Sequence, residues 1–535
     1  MEIPVSDSQA DQFEKHLTNQ LAKLLGAVPV LMPIFRRLQV AEIVDRHCPG
    51  KEEVSHGTTV VTLGLNRLMS PKPLSRVQDW MTETVLADTL GVSAEQMHDV
   101  RLGRTLDDLH PYLGAMWQDI VVQAILEYHL DLMFLHYDIT SIYFEGEYAE
   151  SATIDYGYSR DHRPDTKQVN LGVNVTGPDG VPLVYRVLAG RTADQTTPVE
   201  NMRALQGLLN RPELVNRDRN PLVISDRAML RPEAIVTYDL EQMRWLGALN
   251  LDESLRTLLA SVGDEELDAH PLDYRPVNQP KDEPLRYHGV LRSTVIEHKG
   301  QRVPIRILVV KSRTKLKLDQ ERRQTYLDRL TSRLREISGM LNKRHYKRRA
   351  YAQAQIDKAR RGNPAKRFVH IELSGEDGSL TLRYNLNQER LAQAEAVDGR
   401  YLLGTNDDTL SACQMLTLFK QQEVVERRFK VVKGPVRIRP LFLHKEERIE
   451  SLVFVAMLAL LVYTILEILC RRAGEQTTAR RVLQRFERLA ATYIQFSDGS
   501  QLKLPSALNA DQQQLIDLLR FPPPRVYLRP SEAVS

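Results

Sequence analysis

Three acidic residues stand where a carboxylate is costly to keep: Asp138, Asp226 and Glu426. Asp138 falls in the middle of Phe134-Leu135-His136-Tyr137-Asp138-Ile139-Thr140-Ser141-Ile142-Tyr143-Phe144, an aromatic and β-branched run long enough for a central strand. Asp226 ends a second apolar run, Pro221-Leu222-Val223-Ile224-Ser225-Asp226. Glu426 lies in the helix-like Glu423-Val424-Val425-Glu426-Arg427-Arg428-Phe429-Lys430. Burying an ionised carboxylate is unfavourable unless it is paired, and a divalent cation is a common partner. Three such oxygen donors suit two magnesium ions, with manganese as a substitute. Such a pair activates water, neutralises phosphoryl oxygens and stabilises a leaving oxygen, the needs of phosphodiester cleavage. Glu145, Asp155, Asp161 and Asp165 are rival carboxylates, but Arg160, His162, Arg163 and Lys167 beside the last two mark a DNA-facing loop instead. His136 shares a strand face with Asp138 and is expected to be a hydrogen-bonded core histidine, not a ligand to a hard ion.

The elements that must position these residues follow in order. After the first strand come Val169–Val175 and Val181–Val187, joined by the turn Thr176-Gly177-Pro178-Asp179-Gly180. Thr197-Pro198-Val199-Glu200 opens a helix whose buried face carries Met202, Leu205, Leu208 and Leu209. The strand ending at Asp226, a helix over 232–243 and the strand Trp245–Leu249 complete the series. Three antiparallel strands, helix, strand, helix and strand form the order of a ribonuclease-H-like mixed sheet. In that sheet Asp138 and Asp226 lie side by side, and a following helix brings in Glu426.

At 535 residues the chain is too long for a single core. Its net charge of +3 is nearly neutral, so affinity for nucleic acid must come from local basic patches. Cys48, Cys413 and Cys470 have no metal-site spacing and fit a reducing interior. The start Met1-Glu2-Ile3-Pro4-Val5-Ser6-Asp7 has neither a basic region nor an apolar one, so no signal peptide is expected and the protein is placed in the cytoplasm. The apolar stretch Ser451–Leu466 imitates a membrane span. It is interrupted by Glu467 and unmatched elsewhere, so a helix buried in a large core is the preferred reading over a single-span membrane protein.

The expected organisation is α/β: an N-terminal helical, DNA-end-binding domain over 1–125, and a catalytic core in two parts, 126–250 and 405–474. An α+β insertion over 251–404 interrupts that core, and a helical tail covers 475–535. In the N-terminal part, His56–Met69 and Leu74–Trp80 flank Ser70-Pro71-Lys72-Pro73. With Arg67, Lys72 and Arg76 they suit either a helix-turn-helix reader or a plain helical bundle. In the insertion, Leu327, Leu330, Leu334, Ile337 and Leu341 form a helical seam that leads into the basic run Lys343–Arg349.

The sequence resembles bacterial insertion-sequence transposases of the DDE type, in the insertion-sequence-four superfamily and its sixteen-thirty-four-like branch. The resemblance is carried by Tyr137–Glu145, by Tyr156-Gly157-Tyr158-Ser159-Arg160-Asp161-His162-Arg163-Pro164-Asp165 and by Lys167-Gln168. It continues through Ile224-Ser225-Asp226-Arg227-Ala228-Met229, Ser55-His56-Gly57 and Arg101-Leu102-Gly103-Arg104-Thr105-Leu106-Asp107. Around the catalytic Glu that branch carries Tyr, Arg, Glu and Lys, where this chain has Phe419, Gln422, Glu426 and Lys433. Phe for Tyr removes a hydroxyl and Gln for Arg removes a charge, which puts contacts to the DNA end in question but not the carboxylates. The resemblance implies an enzyme that cuts the terminal inverted repeats of its element with two metal ions and joins them to target DNA. It implies double-stranded DNA as partner, a homodimer in the DNA complex and no membrane. Lys433 and Arg427 are expected at backbone phosphates near the cleaved end, with Phe419, Gln422, Arg160, Arg163 and Lys167 as further DNA contacts. The rival is a catalytically inactive, transposase-derived DNA-binding protein.

Overall fold

A computed structural model describes residues 17–528 except 51, 145–147, 149–150, 152, 159, 161–162, 216–219, 277–278, 281 and 437–444. In chain order the elements are β1 (Leu17–Leu24), α1 (Val28–Arg37), α2 (Val40–His47), α3 (His56–Met69), α4 (Val77–Thr82), α5 (Leu86–Leu90), α6 (Asp99–Leu109) and α7 (Leu113–Tyr128). Then come β2 (Phe134–Tyr143), β3 (Gln168–Thr176), β4 (Pro182–Ala189), α8 (Pro198–Leu209) and β5 (Leu222–Ser225). Next are α9 (Pro232–Leu240), β6 (Arg244–Ala248), α10 (Glu253–Ser261), α11 (Asp264–Asp268), β7 (Tyr287–His298), β8 (Gln301–Ser312), α12 (Arg313–Met340) and α13 (Arg349–Arg360). β9 (Val369–Ser374), β10 (Thr381–Leu386), α14 (Gln388–Glu395), β11 (Arg400–Thr405) and α15 (Ala412–Lys420) follow. The chain ends with α16 (Glu423–Lys433), α17 (Glu446–Arg472), α18 (Ala479–Phe486), β12 (Ala490–Phe496), β13 (Gln501–Pro505) and α19 (Ala510–Leu519). The architecture is mixed α/β. It divides into two compact units, residues 1–224 with 421–535, and residues 225–420.

The first unit is organised around α17. Twenty-seven residues long, it is apolar enough to cross a membrane, yet 89% of its most apolar window is buried within the protein. It packs against α1, α3, α6, α7, β4 and α16. An all-round apolar helix with neighbours on every side is a core element. Around it the strands run β4-β3-β2-β5, with β2/β3 and β3/β4 antiparallel. A separate three-stranded sheet joins the two ends of the chain: β1 pairs antiparallel with β12, which pairs with β13. The β1 strand was not legible in the sequence, because its exposed and polar residues lack a clean alternation.

The residues of the Ser55-His56-Gly57 signature build the start of α3. The Ser55 hydroxyl caps the helix by accepting the Thr58 N–H at 3.0 Å. Gly57 donates its N–H to Asp45 at 2.7 Å, and a Cβ at Gly57 would meet the Ala41 carbonyl oxygen at 2.3 Å. Nearly every residue of α3 is buried. Arg67 is among them, and Arg76 is held by Asp79 at 3.0 Å. Of the three basic residues expected on a helix-turn-helix reader, α3 therefore withdraws one into the core.

The second unit carries strands in the order β6-β11-β8-β7, all antiparallel where β11 meets β6 and β8 and where β7 meets β8. The expected insertion, 251–404, lies wholly inside this unit, which also takes in α9, β6 and α15. The seam of α12 is buried: Leu327, Leu330, Leu334, Ile337 and Leu341 pack with Ala352 and Ile356 of α13 and with Val369, Leu373 and Leu382 of the β9/β10 hairpin. A helix with only one apolar seam on a polar body is thereby satisfied by a small second core.

Candidate functional site

Asp138 sits in β2, half-buried, and its Oδ1 accepts the N–H of Ile139 at 2.8 Å. Cross-strand partners share a face of the sheet. Asp138 is opposite Val173, and Val173 is opposite Tyr185. The Tyr185 ring meets Trp117 of α7 edge-on at 5.0 Å, and Trp117 meets Phe454 of α17 at 6.3 Å. Asp138 therefore projects from the face that α7 and α17 cover.

The helix α16 belongs to the same layer. It packs against β2, β3 and α17. Its buried residues are Val424, Val425, Arg428, Phe429 and Val432, an inward face at helical spacing that leaves Glu426 and Arg427 exposed. The buried Arg428 fixes the helix. Its Nη1 pairs with Glu467 of α17 at 2.6 Å, its Nε donates to the Gly180 carbonyl at 3.0 Å and its Nη2 to the Asp179 carbonyl at 2.6 Å. Gly180 has φ +66°, and a Cβ there would lie 2.6 Å from Arg428 Nε, so both the turn and the clamp require glycine. The Asp179 carboxylate pairs in turn with Arg471 of α17. The β3–β4 turn, α16 and the C-terminal half of α17 are thus tied by charge-assisted hydrogen bonds.

Sequence reasoning missed Arg428 and Glu467. The signal was present: Arg428 falls on the apolar periodicity of Val424, Val425, Phe429 and Val432, and Glu467 is the one charge within an apolar run. Each explains the other.

Asp226 directly follows β5, and β5 neighbours β2 in the sheet, with the Leu222 N–H donated to Met133 at 2.9 Å. Asp226 itself is exposed and belongs to the second unit. Its Oδ1 accepts the Arg227 N–H at 2.7 Å and its carbonyl accepts the Met229 N–H at 3.0 Å, which turns the chain towards α9. The donors are oxygens of the kind a hard divalent ion takes. Among the described residues, no set of three or more His, Cys, Asp or Glu side chains stands close enough together to hold a metal ion.

The remaining expected residues have varied surroundings. Arg160 is paired with Asp194 and donates to Ser141 Oγ at 3.3 Å and Asn170 Oδ1 at 3.4 Å, which ties it to β2 near its end and to β3 near its start. Arg163 bridges Asp165 at 3.0 Å and lies over the Tyr143 ring at 5.3 Å. Lys167 donates to the Tyr148 carbonyl at 2.8 Å. Lys433 is half-buried in the last turn of α16, and Gln422 occupies the N-cap position of the same helix. Phe419 lies in α15 of the second unit, tilted against Tyr401 at 6.5 Å. Glu145, Asp161 and His162 lie outside the described residues, and Asp155 pairs with Arg191 at 3.3 Å.

His136 corrects one expectation. It is fully buried, but neither ring nitrogen has a hydrogen-bond partner among the described residues, and burial pushes its pKa down to about 4. It is a neutral core residue, as expected, and among the described residues it makes no side-chain hydrogen bond.

Comparison with known proteins gives little beyond this geometry. A family described as a domain of unknown function (DUF4277) matches residues 21–121, the helices before β2. No curated protein matches. Among solved structures, the cryo-EM structure of a piggyBac transposase synaptic complex with hairpin DNA is similar at 8% identity, with a TM-score of 0.40, over 88% of this chain and 82% of that one.

Proposed function

We propose that this chain is a DNA transposase with a ribonuclease-H-like core, which cuts the ends of its insertion sequence and joins them to target DNA. The observation that carries the reading is the seating of α16: the helix bearing Glu426 packs on the strand bearing Asp138, in the layer towards which Asp138 projects. The residue types and order in the sequence support it.

In this reading Asp138, Asp226 and Glu426 are the metal-holding carboxylates. Two bound magnesium ions would supply the hydroxide nucleophile and neutralise the phosphoryl oxygens. The chain's own contribution is placement. β2 fixes Asp138 by its backbone, and the Arg428 clamp fixes α16, the helix that bears Glu426. Arg427, exposed beside Glu426, and Lys433, about two turns further along the helix, are the cations offered to backbone phosphates. Arg160, Arg163 and Lys167 shape the adjoining segment through their own partners, and any DNA contact from them would require exchanging those partners. The DNA-bound form is taken to be a homodimer acting on double-stranded inverted repeats.

The test uses the purified full chain, magnesium, and a linear duplex carrying the inverted repeats that flank its reading frame. Strand cleavage on a denaturing gel is expected, with roughly a thousandfold loss in Asp138→Asn and in Glu426→Gln, the scale of several kcal/mol of transition-state stabilisation. Duplex binding should persist in both variants. Cleavage that survives Glu426→Gln would refute the reading. Binding without cleavage by the unmodified chain, in magnesium and in manganese, would favour the second reading: a non-catalytic DNA-binding descendant, to which the Phe419 and Gln422 departures already point.

A further inference from the structure

The second unit contains a cavity of about 510 Å³ that the function above does not use. Arg227, Arg256, Arg322, Arg367 and Arg390 all line it, and all five are exposed. The other cations on its wall are neutralised: Arg323 by Asp398, Lys315 by Asp319 at 2.5 Å and Arg400 by Asp264 at 2.9 Å. The five named arginines have no carboxylate partner among the described residues. The polar contacts shown for their guanidinium groups are Arg256 to the Leu251 carbonyl and Arg390 to the Arg367 carbonyl, both at the long end of the hydrogen-bond range. Five guanidinium groups gathered about one concavity repel each other and are relieved by an anion. Their planar, forked donors match phosphate oxygens two at a time.

The shape narrows the ligand. A concave site of this volume is the size of a small-molecule pocket. Its wall also carries Tyr326, Phe368 and Tyr401, with Arg367 stacked over the Phe368 ring at 4.6 Å. Arginines interleaved with aromatic rings suit a ligand that has both phosphates and a flat base.

We propose that this cavity binds a nucleoside di- or triphosphate, with the phosphates on the unpaired arginines and the base against the aromatic wall. The site lies wholly within residues 225–420, and its occupancy does not depend on DNA cleavage.

Isothermal titration of the full chain, in the absence of DNA, tests this with ATP, GTP, the corresponding diphosphates, adenosine and inorganic triphosphate. Nucleotide binding is expected, with adenosine silent and triphosphate weaker than the nucleotides. The double variant Arg322→Ala/Arg390→Ala should weaken nucleotide binding by about tenfold or more, since charge-assisted hydrogen bonds are lost. Both residues are exposed, so an unchanged melting temperature of the unliganded variant separates lost binding from lost fold. A second pair, Arg256→Ala/Arg367→Ala, serves if the first unfolds. The proposal is overturned if none of these phosphates binds at millimolar concentration, or if a folded double variant binds as well as the parent. Equal affinity for inorganic triphosphate and the nucleotides would overturn the role given to the base. Binding of single-stranded oligonucleotides alone would show the arginines to be part of a nucleic-acid surface and would equally overturn it.

Discussion

Replacing Arg428 with Met keeps the bulk of the side chain and removes its charge, and it should be among the most damaging substitutions in the first unit. Three partners lose their donor at once: the Glu467 carboxylate and the carbonyls of Asp179 and Gly180. Arg428 and Glu467 are 9% and 15% exposed, too little for water to replace the lost contacts fully. Breaking a buried ion pair on one side costs about 3–5 kcal/mol, because the remaining charge loses its counter-ion. The two carbonyls add to that cost by less than their separate values, since relaxation of the turn serves both. A loss of about 3–5 kcal/mol is therefore expected, measured by urea unfolding with tryptophan fluorescence; Trp80 and Trp117 both lie in this unit. The double variant Arg428→Met/Glu467→Met removes both charges and should recover about half of the loss or more, because replacing a whole buried pair by apolar groups is often near neutral. If Arg428→Met alone costs less than about 1 kcal/mol, the value of an exposed pair, the clamp does not hold α16 and the argument for the position of Glu426 loses its footing. A double variant no better than the single one would show that the carbonyl contacts, not the ion pair, carry the energy.

Further outcomes follow from other contacts. Gly57→Ala should destabilise the first unit by about 1–3 kcal/mol in the same assay, because the new methyl would press on the Ala41 carbonyl. Leu334→Ala, at the centre of the small core between α12, α13 and the β9/β10 hairpin, should cost about 2–5 kcal/mol and accelerate proteolysis within 313–386. Thiol titration of the folded chain should show one fast group, the partly exposed Cys413; Cys48 and Cys470 are buried, and burial pushes the Cys470 thiol up to about 11. Cys413→Ser should abolish the fast phase, and a remaining fast thiol would contradict the packing around the other two. The Arg448 guanidinium on Asp107, at 2.7 Å through both nitrogens, holds that carboxyl below the usual carboxylate range. The unfolded chain then takes up the proton first, so this contribution is present above about pH 4 and is lost as pH falls through the folded value. Thermal melting from pH 5 to pH 3 should be flatter in Asp107→Asn than in the parent.

Much of the fold was legible because its elements have a strong period or a strong stop. The α3 helix was expected over His56–Met69 and occupies those residues, set by a serine cap and the Ser-Pro stop that follows. The seam of α12 was read from leucines three and four apart, and those side chains are the buried ones. Strands β2, β3 and β4 appear where the runs of Val, Ile and Tyr placed them, and β5 lies beside β2. What escaped was held by partners distant in the chain. β1 exists because β12, more than 460 residues later, supplies its hydrogen bonds, and nothing in Leu17–Leu24 announces that partner.

The candidate site was legible to a different degree, and α17 shows why. As a sequence it is a run of apolar residues with charges at its edges, equally suited to a membrane or a core. The structure gives several of those charges a partner. Arg448 enters beside Gly103, where a side chain would meet it at 3.0 Å, and pairs with Asp107; both residues belong to the Arg101–Asp107 signature. Glu467 takes Arg428 and also accepts the Ala479 N–H at 3.2 Å at the start of α18. Two of the quoted motifs thus owe a glycine to packing, and the β3–β4 turn owes a third. Gly57 seats α3 on α2, Gly103 admits Arg448, and Gly180 admits Arg428. A motif that recurs for packing looks the same in a sequence as one that recurs for chemistry. Glycine and charge at a helix crossing distinguish the first kind, because substitution there moves stability before activity. Asp138 and Glu426 belong to the second kind if Asn and Gln at those positions leave the unfolding transition in place and remove only the cutting of DNA.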